Sequence, residues 1–171
     1  VQGSDFVSDK LSSKGLAAGA SILGLLADLS VKYVVKNSIQ PGETVSVING
    51  FFNLVHVHNT GVAFSLFGRV DPSIINPVLI TINSAVLIFL IFLLFRKDPL
   101  IEPRLALGLI TGGALGNLTD RIINGYVTDF LDIYVGRYHW PAFNLADVFI
   151  TSGIVLFFIF TFLTIPRGKK S

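Results

Sequence analysis

Four apolar blocks divide this 171-residue chain, at about 16–35, 77–95, 105–120 and 145–165. Each approaches the roughly 20 residues that a helix needs to cross a hydrocarbon core of about 30 Å. Only 14% of the residues are charged and 51% are apolar, whereas a soluble domain carries about a quarter charged residues. The pattern predicts an all-α membrane protein with four transmembrane helices. The third block is the shortest, and its closing Asp120 and Arg121 must lie near one interface. The fourth stops at Pro166. In the second, Asn83 is the most polar residue.

Lysine and arginine placement orients the chain. With the N-terminus inside, the inner segments hold Lys10, Lys14, Arg96, Lys97, Arg104, Arg167, Lys169 and Lys170. The outer side holds Lys32, Lys36, Arg69, Arg121 and Arg137, spread over many more residues. The positive-inside rule therefore expects both termini in the cytoplasm. Segment 1–15 reads as a flexible N-terminal tail, added or processed, and 166–171 as a basic cytoplasmic tail. A cleavable signal peptide is not expected, because the first apolar block is long and carries Asp28 and Lys32. The chain has no cysteine, which excludes disulfides, thiol nucleophiles and thiolate metal sites.

The connections differ in kind. Residues 96–103 form a short basic inner turn. The long segment 36–76 opens with the turn signal Pro41-Gly42. Val45 and Val47, then Phe52, Leu54, His56 and His58, alternate as in half-buried strands, and Asn49-Gly50 between them signals a hairpin. A small extracytoplasmic β-sheet is expected there. Segment 122–143 carries Tyr134, Tyr138, His139 and Trp140, whose rings suit the headgroup region. It is the second outer connection, and a short extracytoplasmic helix or loop completes the expected fold.

The polar residues of the apolar blocks share one depth. At 1.5 Å per residue, Asp28 lies about 18 Å and Lys32 about 24 Å from the start of the first helix, and Asp120 about 22 Å along the third. Asn144 and Asp147 fall in the first turn of the returning fourth helix. All converge on the outer third of the membrane, where ionisable groups are costly without partners. Asn117, Asp120 and Arg121 share a helix face by their spacing. Gly112, Gly113, Ala114 and Gly116 before them allow close approach.

Asp129 and Asp147 flank this cluster. Two carboxylates sharing one proton can activate a water and protonate a leaving amine. Helix capping by Asn144 and Asp147 is the competing account of the second acid. Asp28 and Lys32 fit a structural ion pair at i, i+4. Asp120 and Arg121 fit a clamp on the outer segments, Arg121 being a bidentate partner for a carboxylate. Asn59-Thr60-Gly61 reads first as a turn ending a strand. His56, His58 and His139 lack a metal-protease spacing such as HExxH, and no metal is assigned. One alternative is a non-catalytic carrier or lipid-binding protein with the Arg121 cluster on a headgroup. Another is a metal-dependent membrane hydrolase.

Five pieces, in this order, carry a resemblance. They are Asp28-Leu29-Ser30-Val31-Lys32, His58-Asn59-Thr60-Gly61-Val62-Ala63-Phe64, Gly112-Gly113-Ala114-Leu115-Gly116-Asn117-Leu118-Thr119-Asp120-Arg121, Val127-Thr128-Asp129-Phe130 and Pro141-Ala142-Phe143-Asn144-Leu145-Ala146-Asp147. Together they resemble the bacterial lipoprotein signal peptidases, the type II signal peptidase family. The resemblance implies a four-helix integral membrane peptidase domain over 16–165, in the bacterial inner or plasma membrane, with its site near the extracytoplasmic face. The implied activity is that of an aspartyl endopeptidase. It would remove the signal peptide from a prolipoprotein by cutting before a diacylglyceryl-modified cysteine. Asp129 and Asp147 match the catalytic pair. Asn59, Gly61, Asn117, Arg121 and Asn144 match positions that line or support the substrate site, and Asp28, Lys32 and Asp120 match structural polar positions. The expected partners are the prolipoprotein and membrane lipid, with no nucleic acid and no cofactor, and the chain is expected to act as a monomer.

Overall fold

The structure is a computed structural model and describes residues 2–61, 71–96 and 103–164. Its elements are α1 (Gln2–Ser38), β1 (Thr44–Ile48), β2 (Phe52–Asn59), α2 (Pro72–Phe95), α3 (Arg104–Asn124), β3 (Val127–Val135), β4 (Tyr138–His139) and α4 (Leu145–Thr164). Among the described residues, three helical stretches are long and apolar enough to cross a membrane: Lys14–Ser38, Ser73–Phe95 and Leu145–Phe162. The expectation of four such helices is met by three. α3 carries Arg104, Asp120 and Arg121 within its length, all buried.

α3 is the shared wall of the bundle, packing against α1, α2 and α4. Its glycines permit this. A Cβ on Gly112 would stand 2.6 Å from the Ser21 carbonyl oxygen, and one on Gly108 2.5 Å from that of Ala17. On the other side, a Cβ on Gly113 would collide with the Ala146 carbonyl of α4. With Cβ atoms removed, backbones meet directly, as in small-residue contacts between membrane helices.

Two helix ends were misplaced by the sequence pattern. α2 was expected from Pro77 but starts at Pro72. Asp71 is its N-cap, with Oδ1 accepting from the Ser73 N–H at 2.8 Å. Proline at the first helical position then costs no hydrogen bond. α1 begins at Gln2, well before the expected start at Leu16. The expected inner turn at 96–103 falls mostly on residues outside those described, as do Arg69, 166–171 and the Val62-Ala63-Phe64 part of the second motif. Arg104 nevertheless closes the end of α2: its Nη1 donates to the Leu94 carbonyl at 2.7 Å and its Nη2 to that of Arg96 at 3.2 Å.

The expected hairpin is present, with Gly50 at φ +83° between β1 and β2. Segment 122–143, expected as an outer connection beside the sheet, instead finishes α3 and then supplies two strands of that sheet, β3 and β4. Gly125, at φ +79°, ends α3, and the chain then pairs antiparallel with β2 along β3. The sheet order is β1-β2-β3-β4. Between Gly125 and Gly136 the segment is rich in β-branched and aromatic residues, which favour strand. Its two aspartates obscured that signal. A bulge in β2 between Leu54 and Val57 shifts the register, so that Val57 faces Asp129. The bulge also breaks the expected alternation, and both Val55 and His56 are buried. The sheet sits on the bundle through Phe130, Val35 and Ile39, joined by Val31, Leu54 and Leu145.

Candidate active site

Asp129 is only 2% exposed, and both of its carboxylate oxygens accept amide hydrogens. Oδ2 accepts from Asn59 Nδ2 at 2.9 Å and Oδ1 from Asn144 Nδ2 at 2.6 Å. Asn59 is the diagonal neighbour of Asp129 across the β2–β3 pair, within reach for long side chains. Its own Oδ1 accepts from the Gly61 N–H at 2.8 Å, which fixes the amide's direction. Gly61 is at φ +88°, and a Cβ there would strike Leu79. Arg121 braces the same turn, donating to the Asn59 carbonyl at 3.3 Å and to Asn76 Oδ1 at 3.4 Å.

Asp147 is half-buried in the first turn of α4. Its Oδ1 accepts from Asn117 Nδ2 at 2.9 Å, and its Oδ2 from the Asn144 N–H at 3.1 Å. The Asp147 N–H donates in return to Asn144 Oδ1 at 3.0 Å. Asn144 thus bridges the two acids: its amide nitrogen holds Asp129, and its oxygen holds the backbone of Asp147. Capping and site assembly are one arrangement, and the two readings of Asp147 do not compete.

Burial pushes the Asp129 carboxyl up to about 6, and the nearby Asp147 charge adds to the rise; donation from Asn59 and Asn144 opposes it. Desolvation disfavours the charged carboxylate while the amide donors favour it. The balance leaves an acid that keeps its proton to higher pH than an ordinary carboxyl.

Beneath the acids lies a buried ionic layer. Lys32, 1% exposed, pairs with Asp28 Oδ2 at 2.7 Å and donates to Asn117 Oδ1 at 2.8 Å. Asn117 therefore links Lys32 to Asp147. Asp28 accepts from the Ala146 N–H at 2.9 Å through its other oxygen, which holds the start of α4 against α1. Gly116 makes room, since a Cβ there would come 2.5 Å from Asp28 Oδ2. Asp120 pairs with Lys36 and accepts from the Thr128 N–H at 2.7 Å, next to Asp129 in the chain. Asn124 Nδ2 also donates to Asp120, at 2.6 Å.

Most of the expected residues thus meet in one cluster. Arg121 clamps a turn, but its donors reach Asn59 and Asn76 rather than a carboxylate. His56 and His139 have protein partners, the Ile39 carbonyl at 2.7 Å and Asp132 at 2.8 Å. Lys36, Asn76 and Asn124 were missed as contributors. Lys36 was legible, because Asp28, Lys32 and Lys36 recur every four residues on one face of α1. Asn76 was not, since its contact depends on how α2 packs against α3.

Two grooves run along the helices near the acids, the first of them lined by Asp147 itself. One, of about 320 Å³, is lined by Trp140, Phe143, Asp147, Val148, Thr151 and Ser152. The other, of about 170 Å³, includes Asn83, Ala114, Asn117 and Ile150.

The model for the family described as Signal peptidase (SPase) II matches residues 20–163. The lipoprotein signal peptidase of Serratia marcescens is 47% identical over 153 residues, covering 88% of this chain and 86% of that protein. That of Francisella tularensis subsp. novicida is 43% identical over 138 residues, covering 80% and 84%. A solved structure described as a bacterial membrane enzyme at 2.3 Å superposes with a TM-score of 0.75 at 26% identity, over 92% of this chain and 93% of that one. A second, at 1.9 Å, gives 0.74 at 27% identity, over 88% and 94%. Matched by the family model over most of its length and by relatives above 40% identity over four-fifths of it, this chain belongs to the signal peptidase II family, a family of membrane peptidases.

Proposed function

We propose that this chain removes signal peptides from prolipoproteins bearing a diacylglyceryl cysteine, cutting before that cysteine, with Asp129 and Asp147 as the catalytic pair. The observation that carries this reading is Asn144, whose single side chain positions both acids. Asp147, with donors on both oxygens, takes a proton from water as the water oxygen attacks the scissile carbonyl carbon. Asp129, whose pKa burial raises above the usual carboxylate range, gives its proton to the departing nitrogen as the C–N bond breaks. Apolar substrate packing over Asp129 removes more water and pushes in the same direction. No cofactor enters this scheme.

In this reading all four helices cross the membrane, with α3 shielded by the other three. Residues 16–165 form the peptidase unit, both termini lie in the cytoplasm, and the sheet and acids face the extracytoplasmic side. Asn59, Gly61, Asn117, Arg121 and Asn144 shape the substrate site; Asp28, Lys32 and Asp120 hold its frame.

Cleavage of a synthetic diacylglyceryl lipopeptide tests the pair. Asp129→Asn and Asp147→Asn are each expected to lower kcat by at least about 10³-fold while the protein stays folded. Turnover within tenfold of wild type by either variant would remove that residue from the chemistry.

A further inference from the structure

The groove between α2, α3 and α4 has an apolar lining of Val86, Ile110, Ala114 and Ile150, interrupted by two amides, Asn83 and Asn117. Asn117 has its partners in Lys32 and Asp147. Asn83 is half-buried and, among the described residues, makes no hydrogen bond. An amide at hydrocarbon depth without a partner is costly. Asn83 opens into the groove that Asn117, the amide donor to Asp147, also lines, so an occupant of that groove can supply the partner.

Its level along the bundle follows from a contact already described. Asn76 of α2 meets Arg121 of α3, which places those two residues side by side. Asn83, seven residues further along α2, lies about 10 Å deeper, and Asn117, four residues back along α3, about 6 Å deeper. Asn83 is therefore about 4.5 Å inward of Asn117, the rise of three helical residues. Asn76 and Asn83 are also two turns apart on one face of α2.

We propose that Asn83 is a specificity-determining residue that pairs with a small hydroxyl side chain on the signal helix, at the fourth residue before the cleaved bond. This rests on the peptidase reading above. A signal peptide enters with its basic end inside. If the residue whose carbonyl is cut stands level with Asn117, the residue three positions earlier stands level with Asn83. Serine or threonine there can both donate to and accept from the amide, and Ala114 opposite leaves room for a short side chain. An aliphatic residue at that position leaves the Asn83 amide unpaired.

The test uses the full-length protein in liposomes and two diacylglyceryl lipopeptides differing only in serine or leucine at the fourth position before the scissile bond. A second pair carries the same change at the third position. kcat/KM is measured for wild type, Asn83→Leu and Asn83→Ala. The serine-to-leucine ratio at the fourth position is expected to fall about three- to fifteen-fold in Asn83→Leu, with a smaller fall in Asn83→Ala and little change at the third position. A ratio unchanged within twofold in both variants, or an equal loss on both substrates, would overturn the assignment. Failure of wild type to cut any of the four peptides would instead count against the peptidase reading itself.

Discussion

Asn144 and Asp147 bind each other twice, each side chain accepting the other's backbone N–H, at 3.0 and 3.1 Å. This is a capping box with Asp147 at its third helical position. Asp147 therefore carries a structural share separable from its chemistry. Asp147→Asn keeps an oxygen for the Asn144 N–H, whereas Asp147→Ala does not. Both variants are expected to be inactive, but Asp147→Ala should be less stable than Asp147→Asn by about 1 kcal/mol. Thermal unfolding in detergent measures the difference, and equal midpoints would separate the cap from stability.

The pH profile should report the donors on Asp129. Its carboxyl is raised to about 6 mainly by burial, against the opposing pull of the Asn59 amide. Removing a donor to the anion favours the protonated form. If Asp129 acts as the acid, activity falls as it ionises, so Asn59→Ala should move the alkaline limb of kcat/KM upward by about one unit. The stability sign agrees. A folded-state pKa above the unfolded value gives a contribution fully present at low pH and lost as pH rises from about 4 through 6. An unmoved limb, or one displaced to lower pH, would contradict the assigned role.

Lys32 and Lys36 should differ sharply. Both approach Asp120, but Lys32 is 1% exposed and also neutralises Asp28, while the Lys36 side chain is 26% exposed. Lys32→Met leaves a buried carboxylate without its cation and should cost about 3–5 kcal/mol. Lys36→Met should cost about 1 kcal/mol or less, because Lys32, the Asn124 amide and the Thr128 N–H remain on Asp120. Comparing denaturation midpoints decides, and equal losses would mean that the buried layer does not depend on Lys32.

The glycines of α3 offer a steric contrast with those of α1. A Cβ on Gly112 meets the backbone of Ser21, whereas one on Gly19 meets nothing within 4 Å. Gly112→Ala should destabilise by about 1–3 kcal/mol, since a backbone yields less readily than a side chain. Gly19→Ala should stabilise by about 0.5–1 kcal/mol through helix propensity. Opposite signs in unfolding measurements are the expected result.

The sequence resolved the elements whose signal is local. Long apolar runs marked α1, α2 and α4, and Asn49-Gly50 marked the hairpin. The shared depth of Asp28, Lys32, Asp120 and Asp147 pointed to one cluster, and side-chain contacts now join those residues. What escaped was set by tertiary packing. β3 was hidden because Asp129 and Asp132 interrupt its apolar residues, and both are buried only through partners on other segments, Asn59 and Asn144 for one, Asn53 and His139 for the other. The level of Asn76 beside Arg121 likewise depends on how two helices dock. Capping and catalysis looked like rival accounts of Asp147 because one-dimensional spacing does not reveal that Asn144 also reaches Asp129.

The two acids belong to different elements, a helix and a strand. Asp147 opens α4, whose apolar length ties its tilt to the thickness of the surrounding lipid. Asp129 rides on a sheet strand fastened to α3 through Asp120 and Thr128. A change in that tilt reaches Asp129 through the Asn144 side chain and through the backbone bridge of Leu131 to Phe143. The separation of the two carboxylates thus follows how α4 is seated, and the membrane that holds the helix has a hand in setting it.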